Sequence, residues 1–185
     1  MIISGKLVYL RAMELDDMEM YRDMINDDYI SQMVVGWSFP VSKKEQFDWY
    51  NRVVGSENKR FTICLKEDDT PVGMVTLTDI DYINRSALHG IKLHPTCPQG
   101  KGIATDAVMT LMELAFNQMN MNRLDGSWLV YNTSSKQLYE KCGWREEGIK
   151  RKAIYRNGEY HDMAVSGILK EEFLEAKKRL GWEKE

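Results

Sequence analysis

The segment Gln99-Gly100-Lys101-Gly102-Ile103-Ala104 constrains this chain more than any other. It joins an apolar strand-forming run, Ala87 to Leu93, to a helix-forming run from Ile103 to about Met119. A glycine-rich turn between strand and helix leaves backbone N–H groups bare at a helix N-terminus, which is a ready seat for an anion. Glycine matters there because a Cβ would hold the backbone away from a bound phosphate. The segment is not a Walker A loop, since no Gly-Lys-Ser/Thr follows a four-residue spacer. Nor is it the dinucleotide fingerprint, which needs three glycines and an acidic residue about 20 positions on.

With 185 residues the chain is long enough for one domain with a real core, and residues 1–185 are expected to form a single one. A net charge of −3 gives no indication of a nucleic-acid-binding surface. Cys64, Cys97 and Cys142 are scattered without a CxxC pair, a pattern that fits reduced thiols in a cytoplasm rather than a disulfide scaffold. His89, His94 and His161 add no zinc-ligand spacing to them, so no metal is expected. Met1 to Ala12 is short and broken by Lys6 and Arg11, unlike a signal peptide. No apolar run approaches the roughly 20 residues needed to span a bilayer. The expectation is a cytoplasmic protein with no membrane and no nucleic-acid partner.

Along the chain, Lys6 to Arg11 is rich in strand formers. Leu15 to Ile25 predicts a helix with Asp16, Asp17 and Glu19 near its start. Ser42-Lys43-Lys44-Glu45 is a capping box that predicts a second helix from Lys43 to about Val53. Strands are expected over Arg60 to Lys66, Val72 to Ile80 and Ala87 to Leu93, before the glycine loop. After the third helix come a strand over Leu124 to Tyr131 and a short helix over Ser134 to Lys141, stopped at Cys142-Gly143. Glu147 to Tyr155 and Tyr160 to Leu169 form a closing hairpin around Asn157-Gly158, and Glu171 to Leu180 a last polar helix.

Two motifs carry a family resemblance. Gln99, Gly102 and Ala104 match Gln/Arg-x-x-Gly-x-Gly/Ala, and about 30 residues on, Asn132 to Trp144 matches Asn-x-x-Ser/Ala-x-x-x-Tyr-x-x-x-Gly-Phe with Trp144 in place of Phe. The chain thereby resembles the GNAT superfamily of acetyl-CoA-dependent N-acetyltransferases over roughly Lys6 to Phe173. Leu10-Arg11-Ala12, Asp81 to Ala87 and the tail from Glu147 to Asp162 resemble the branch of ribosomal-protein alanine and spermidine N-acetyltransferases. The resemblance implies an α/β (α+β) fold with a mixed, twisted sheet of about seven strands and helices on both faces. It also admits a homodimer through the C-terminal hairpin.

The resemblance further implies roles. Tyr139 would be the general acid that protonates the departing CoA sulfur. Gln99, Gly100, Lys101, Gly102, Ala104 and Thr105 would hold the pyrophosphate. Ile91 and Leu93 would pair with the pantetheine amides through backbone groups, as an added strand would. Asn132 and Ser135 would reach the cofactor, although Asn132 is equally a good helix cap. Trp37, Phe39, Trp49 and Tyr82 would line an acceptor pocket. Spermidine enzymes carry a glutamate pair and a further glutamate where this chain has Ser38-Phe39 and Thr76. A polyamine is therefore the second expectation, behind a protein or peptide N-terminus or other small primary amine, and an aminoglycoside is the third; an acyl-CoA-binding sensor without catalysis is the alternative from a different class.

A general base is not legible. Leu88 occupies a position where relatives that acetylate N-termini often have glutamate, and alternation turns His89 to the opposite face. His89, a water relay, Asp79, Asp81 and Glu113 are the candidates. Deprotonating an alkyl ammonium at pH 7.5 costs about 3 pKa units, or roughly 4 kcal/mol, so a site without a strong base favours a low-pKa amine.

Overall fold

The computed structural model describes residues 2–36 and 39–182. Trp37 and Ser38, two of the expected acceptor-loop positions, fall outside the described residues. The elements run β1 (Ile3–Ser4), β2 (Val8–Ala12), α1 (Met18–Asn26), α2 (Asp28–Met33), α3 (Lys43–Val53), β3 (Lys59–Leu65), β4 (Pro71–Asp81) and β5 (Ser86–Leu93). They continue with α4 (Ile103–Glu113), β6 (Arg123–Leu129), α5 (Thr133–Lys141), β7 (Arg145–Arg156), β8 (Glu159–Leu169) and α6 (Lys170–Arg179).

The sheet has eight strands in the order β1-β2-β3-β4-β5-β6-β8-β7, where about seven were expected. The additional one is β1, whose two residues pair with Tyr9 and Leu10 and are too few to leave a periodic signal. Helix α2 was likewise not anticipated: it is six residues long and starts on the Asp27 side chain, which accepts from the Ile30 N–H at 2.8 Å. Short elements of this kind are set by tertiary contact rather than by propensity. The capping box of α3 forms as read, with Glu45 accepting from the Ser42 N–H at 2.8 Å. The run expected to be helical to Met119 does not stay α: it is α to Glu113 and widens into a π turn over Leu114–Gln118.

Alternation along β4 separates two cores. Val75 and Leu77 face the main one, built with the buried side of α4, where Val108, Met109, Leu111 and Met112 are fully excluded from solvent. Met74 faces the other, packing on Met18, Tyr21 and Met24 of α1 and on Trp49 of α3. Helices therefore cover both faces, as the resemblance implied. The buried carboxylate of Asp106 fastens the N-terminal half of α4 to the sheet, accepting from the N–H groups of Lys6, Leu7 and Val8 at 2.7–3.0 Å and from the Trp182 indole at 2.6 Å.

One break in the sheet positions the site. β5 and β6 are parallel and pair only over Ser86–Leu88 with Arg123–Asp125. Beyond Leu88 the two strands part, and a gap opens in the middle of the sheet.

Candidate active site

Three elements border that gap. The first is the free edge of β5. The His94 N–H donates to the Val72 carbonyl of β4 at 2.8 Å. Hydrogen-bonded positions recur every second residue in an antiparallel pair, so the backbone groups of His89, Ile91 and Leu93 turn away from β4 and toward the gap. Ile91 and Leu93 are half-buried, with side chains against the main core. They can accept an extended ligand through their backbone.

The second element is the glycine loop. Gly100 and Gly102 have φ of +71° and +82°, a left-handed conformation in which a Cβ is strained. Gly102 is the N-cap of α4 and offers no side-chain cap, so the first N–H groups of the helix, at Ile103, Ala104 and Thr105, have no intrahelical partner. Gln99, Gly100 and Lys101 are exposed beside them. The loop is thus a concentration of unpaired N–H groups at a positive dipole end, with Lys101 adjacent.

The third element is α5. Asn132 caps it, accepting from the Ser135 N–H at 3.0 Å, while its Nδ2 donates to the Met33 carbonyl at 2.8 Å. Both ends of the amide are thus engaged by protein, in the capping role and in a clamp on the C-terminal end of α2. That clamp was not foreseen in the sequence, because its partners are 99 residues apart. Tyr131 and Arg156 join it, donating to the carbonyls of Gln32 at 2.5 Å and of Val35 at 3.1 Å.

Tyr139 hangs from α5 into this junction. It is 4% exposed, stacked on Trp128 at 5.5 Å and 17° and edge-on to Trp144 at 5.0 Å. Its hydroxyl lies 3.0 Å from His89 Nδ1. Burial raises the tyrosine well above its ordinary pKa, so the hydroxyl keeps its proton. Burial also pulls the His89 imidazole down to about 3, so it stays neutral. His89 Nε2 is buried without a partner among the described residues. With the proton on Nδ1, His89 donates to the Tyr139 oxygen and leaves the phenolic proton free for another acceptor; with the proton on Nε2, Nδ1 accepts from the phenol.

A cavity of about 390 Å³ contains Tyr139, His89, Ser135, Leu88 and the floor of β4 and β5. It adjoins a larger one of about 570 Å³ between α1, α2 and α3, and Trp49, Met74 and Lys92 line both. Phe39 lines the larger cavity, whereas Tyr82 is exposed and lines neither. Among the described residues, no Asp or Glu lines the smaller cavity. Two of the acidic candidates are engaged elsewhere: Asp81 holds the β4–β5 turn through the N–H groups of Ile83 and Asn84, and Glu113 pairs with Lys177 at 2.8 Å. The third, Asp79, is exposed and lines neither cavity.

Comparison with known proteins fixes the class of this fold and site. The family model of the acetyltransferase (GNAT) domain matches residues 8–145, and the chain belongs to that family. Spermidine N(1)-acetyltransferase of Vibrio cholerae is 28% identical over 166 residues, covering 89% of this chain and 94% of the relative. YdaF of Bacillus subtilis, whose name assigns it provisionally to ribosomal N-acetylation, is 28% identical over 173 residues, covering 90% and 93%. Among solved structures, the Vibrio cholerae spermidine N-acetyltransferase in complex with CoA and spermine superimposes with a TM-score of 0.84 at 28% identity, over 91% of this chain and 98% of that one. The protein is accordingly an N-acetyltransferase of the GNAT type. Among the described residues, no helix is long and apolar enough to cross a membrane.

Proposed function

We propose that the protein transfers the acetyl group of acetyl-CoA directly to a primary amine in a ternary complex, in the cytoplasm, with Tyr139 as the general acid. The observation that carries the reading is the buried hydroxyl of Tyr139 at the wall of a cavity beside the β5–β6 gap, where burial favours its protonated form. The residues fit the cosubstrate: bare N–H groups at α4 suit a pyrophosphate, with Gln99, Gly100, Lys101, Gly102, Ala104 and Thr105 around it. The outward backbone groups of Ile91 and Leu93 suit the pantetheine amides.

Bound acetyl-CoA supplies a thioester, whose C–S bond breaks as the amine nitrogen bonds to the carbonyl carbon. Tyr139 delivers its proton to the departing sulfur, and His89, with its own proton on Nδ1, holds the phenol oxygen so that this proton points away from the imidazole. Asn132 and Ser135 fix the first turn of α5 and hence the place of Tyr139. The amine loses its proton to water, because no carboxylate among the described residues lines the smaller cavity. Three buried cysteines, Cys64, Cys97 and Cys142, have no part in the transfer; burial raises each thiol above its ordinary pKa, against the thiolate a covalent route would need.

The acceptor is a protein N-terminus or a small primary amine. A polyamine is the second reading, favoured by the spermidine enzymes among the relatives. Mass-spectrometric product detection with acetyl-CoA and a panel of N-terminal peptides, amino sugars, polyamines and aminoglycosides tests both. Acetylation of one class is expected. Tight acetyl-CoA binding with no acetylated product would favour a sensing role instead.

A further inference from the structure

The floor of the acceptor cavities is read from strand register. Arg60 of β3 lies opposite Thr76 of β4, which lies opposite Gly90 of β5, and Met74 lies opposite Lys92. Residues directly opposite share a face. This is the face of Met74, turned toward α1 and α3 and away from α4. Strand spacings put the Arg60 and Lys92 backbones about 12 Å apart, within the combined reach of two long side chains. Gly90 keeps the space between them open, since a Cβ there would come 2.8 Å from Thr76 Oγ1.

Both cations are half-buried and, among the described residues, lack carboxylate partners. Arg60 lies over the Trp49 ring at 5.9 Å and reaches Ser56 Oγ at 3.4 Å. Lys92 makes no side-chain hydrogen bond or ion pair among the described residues. Burial pulls both below their ordinary pKa values. A desolvated cation without a counter-charge is costly, and a fold keeps such a group where something else neutralises it. The carboxylates of the larger cavity are already engaged: Glu45 holds Ser42 at 2.7–2.8 Å, and Asp48 holds Lys44 at 2.6 Å. Arg52, on the same wall, adds further positive charge.

We infer that the acceptor amine carries a second, anionic group, a carboxylate or a phosphoryl, which Lys92 and Arg60 bind on this floor. The inference rests on the transferase reading and names the acceptor class of the same site. It disfavours a polyamine, whose remaining ammonium groups would meet like charge.

The test compares kcat/KM for O-phosphoethanolamine, γ-aminobutyrate, ethanolamine and spermidine in the wild type, Lys92→Gln and Arg60→Gln. Calorimetric binding of O-phosphoethanolamine to the CoA-saturated protein runs beside it. The anionic amines should exceed ethanolamine at least tenfold in the wild type, and that ratio should fall toward one in both variants. The larger of the two anionic rates says whether phosphoryl or carboxylate is the natural group. A preference for ethanolamine or spermidine, or a ratio unmoved by either substitution, overturns the inference. So does a Lys92→Gln variant that loses acetyl-CoA affinity instead, since the cation would then serve the cosubstrate. If no amine reacts, binding of O-phosphoethanolamine that weakens tenfold in Lys92→Gln upholds the anion seat and places the acetylated amine outside this panel. Absence of such binding overturns the seat as well.

Discussion

The two sides of the gap are built by different means. The donor side, formed by the β5 edge and the α4 N-terminus, relies on backbone: N–H groups left open by Gly102 and by alternation along β5. The acceptor side, formed by α1 to α3 over the floor of β3 to β5, relies on side chains gathered from distant parts of the chain. A backbone site accepts any side chain that permits its φ, and it serves a cosubstrate common to a family. A side-chain site can change its charge with two substitutions, so the acceptor is where relatives at 28% identity can diverge.

The sharpest way to break this division is at the point where the two sides meet. Tyr139→Phe should lower kcat by a hundredfold or more, about 3 kcal/mol of transition-state stabilisation, while acetyl-CoA affinity measured by calorimetry stays close to wild type. An equal loss of affinity would make the tyrosine part of the donor seat only.

That division also explains what the sequence disclosed. The glycine loop was legible because only glycine tolerates φ near +80° with open N–H groups, and this leaves a local signature. The cap at Asn132 and the box at Ser42 were legible for the same local reason. The His89–Tyr139 contact, the clamp of Asn132 on Met33 and the Arg60–Lys92 pair were not, since each joins strands or helices far apart in sequence. Alternation did turn His89 away from Leu88, but only the fold says that Tyr139 stands there. The two-residue β1 and the six-residue α2 left no period to read.

The next largest effect falls on stability. Asp106→Ala would strand three backbone N–H groups and the Trp182 indole in a buried site, and should cost about 3 kcal/mol in urea unfolding. A smaller loss would mean that water replaces the carboxylate.

His89 gives a pH signature. Its folded pKa is pulled down to about 3, whereas the unfolded value is about 6.5. Between these the unfolded chain binds the extra proton, so this contribution is intact above about pH 6.5 and is lost as pH falls below it, by about 1.4 kcal/mol per pH unit. Unfolding at pH 7 and pH 5.5 should show a shallower dependence in His89→Leu than in wild type. Identical slopes would place the sensitivity elsewhere.

The smallest effect concerns the donor seat. Gly102→Ala keeps ordinary contact, with the added Cβ 3.6 Å from Leu7, but strains φ at +82°. About 1 kcal/mol of stability and a few-fold of acetyl-CoA affinity should be lost, measured by calorimetry and thermal unfolding. An affinity that improves would mean the loop does not bind through its backbone.

The central claim is that both sides converge on the Tyr139 hydroxyl, and a crystal structure of the CoA complex tests it most directly. The account predicts the pyrophosphate on the N–H groups at the start of α4, the pantetheine along Ile91 and Leu93, and the sulfur within hydrogen-bonding reach of Tyr139 Oη. A sulfur lying away from Tyr139, or a pyrophosphate seated elsewhere than the glycine loop, would contradict it.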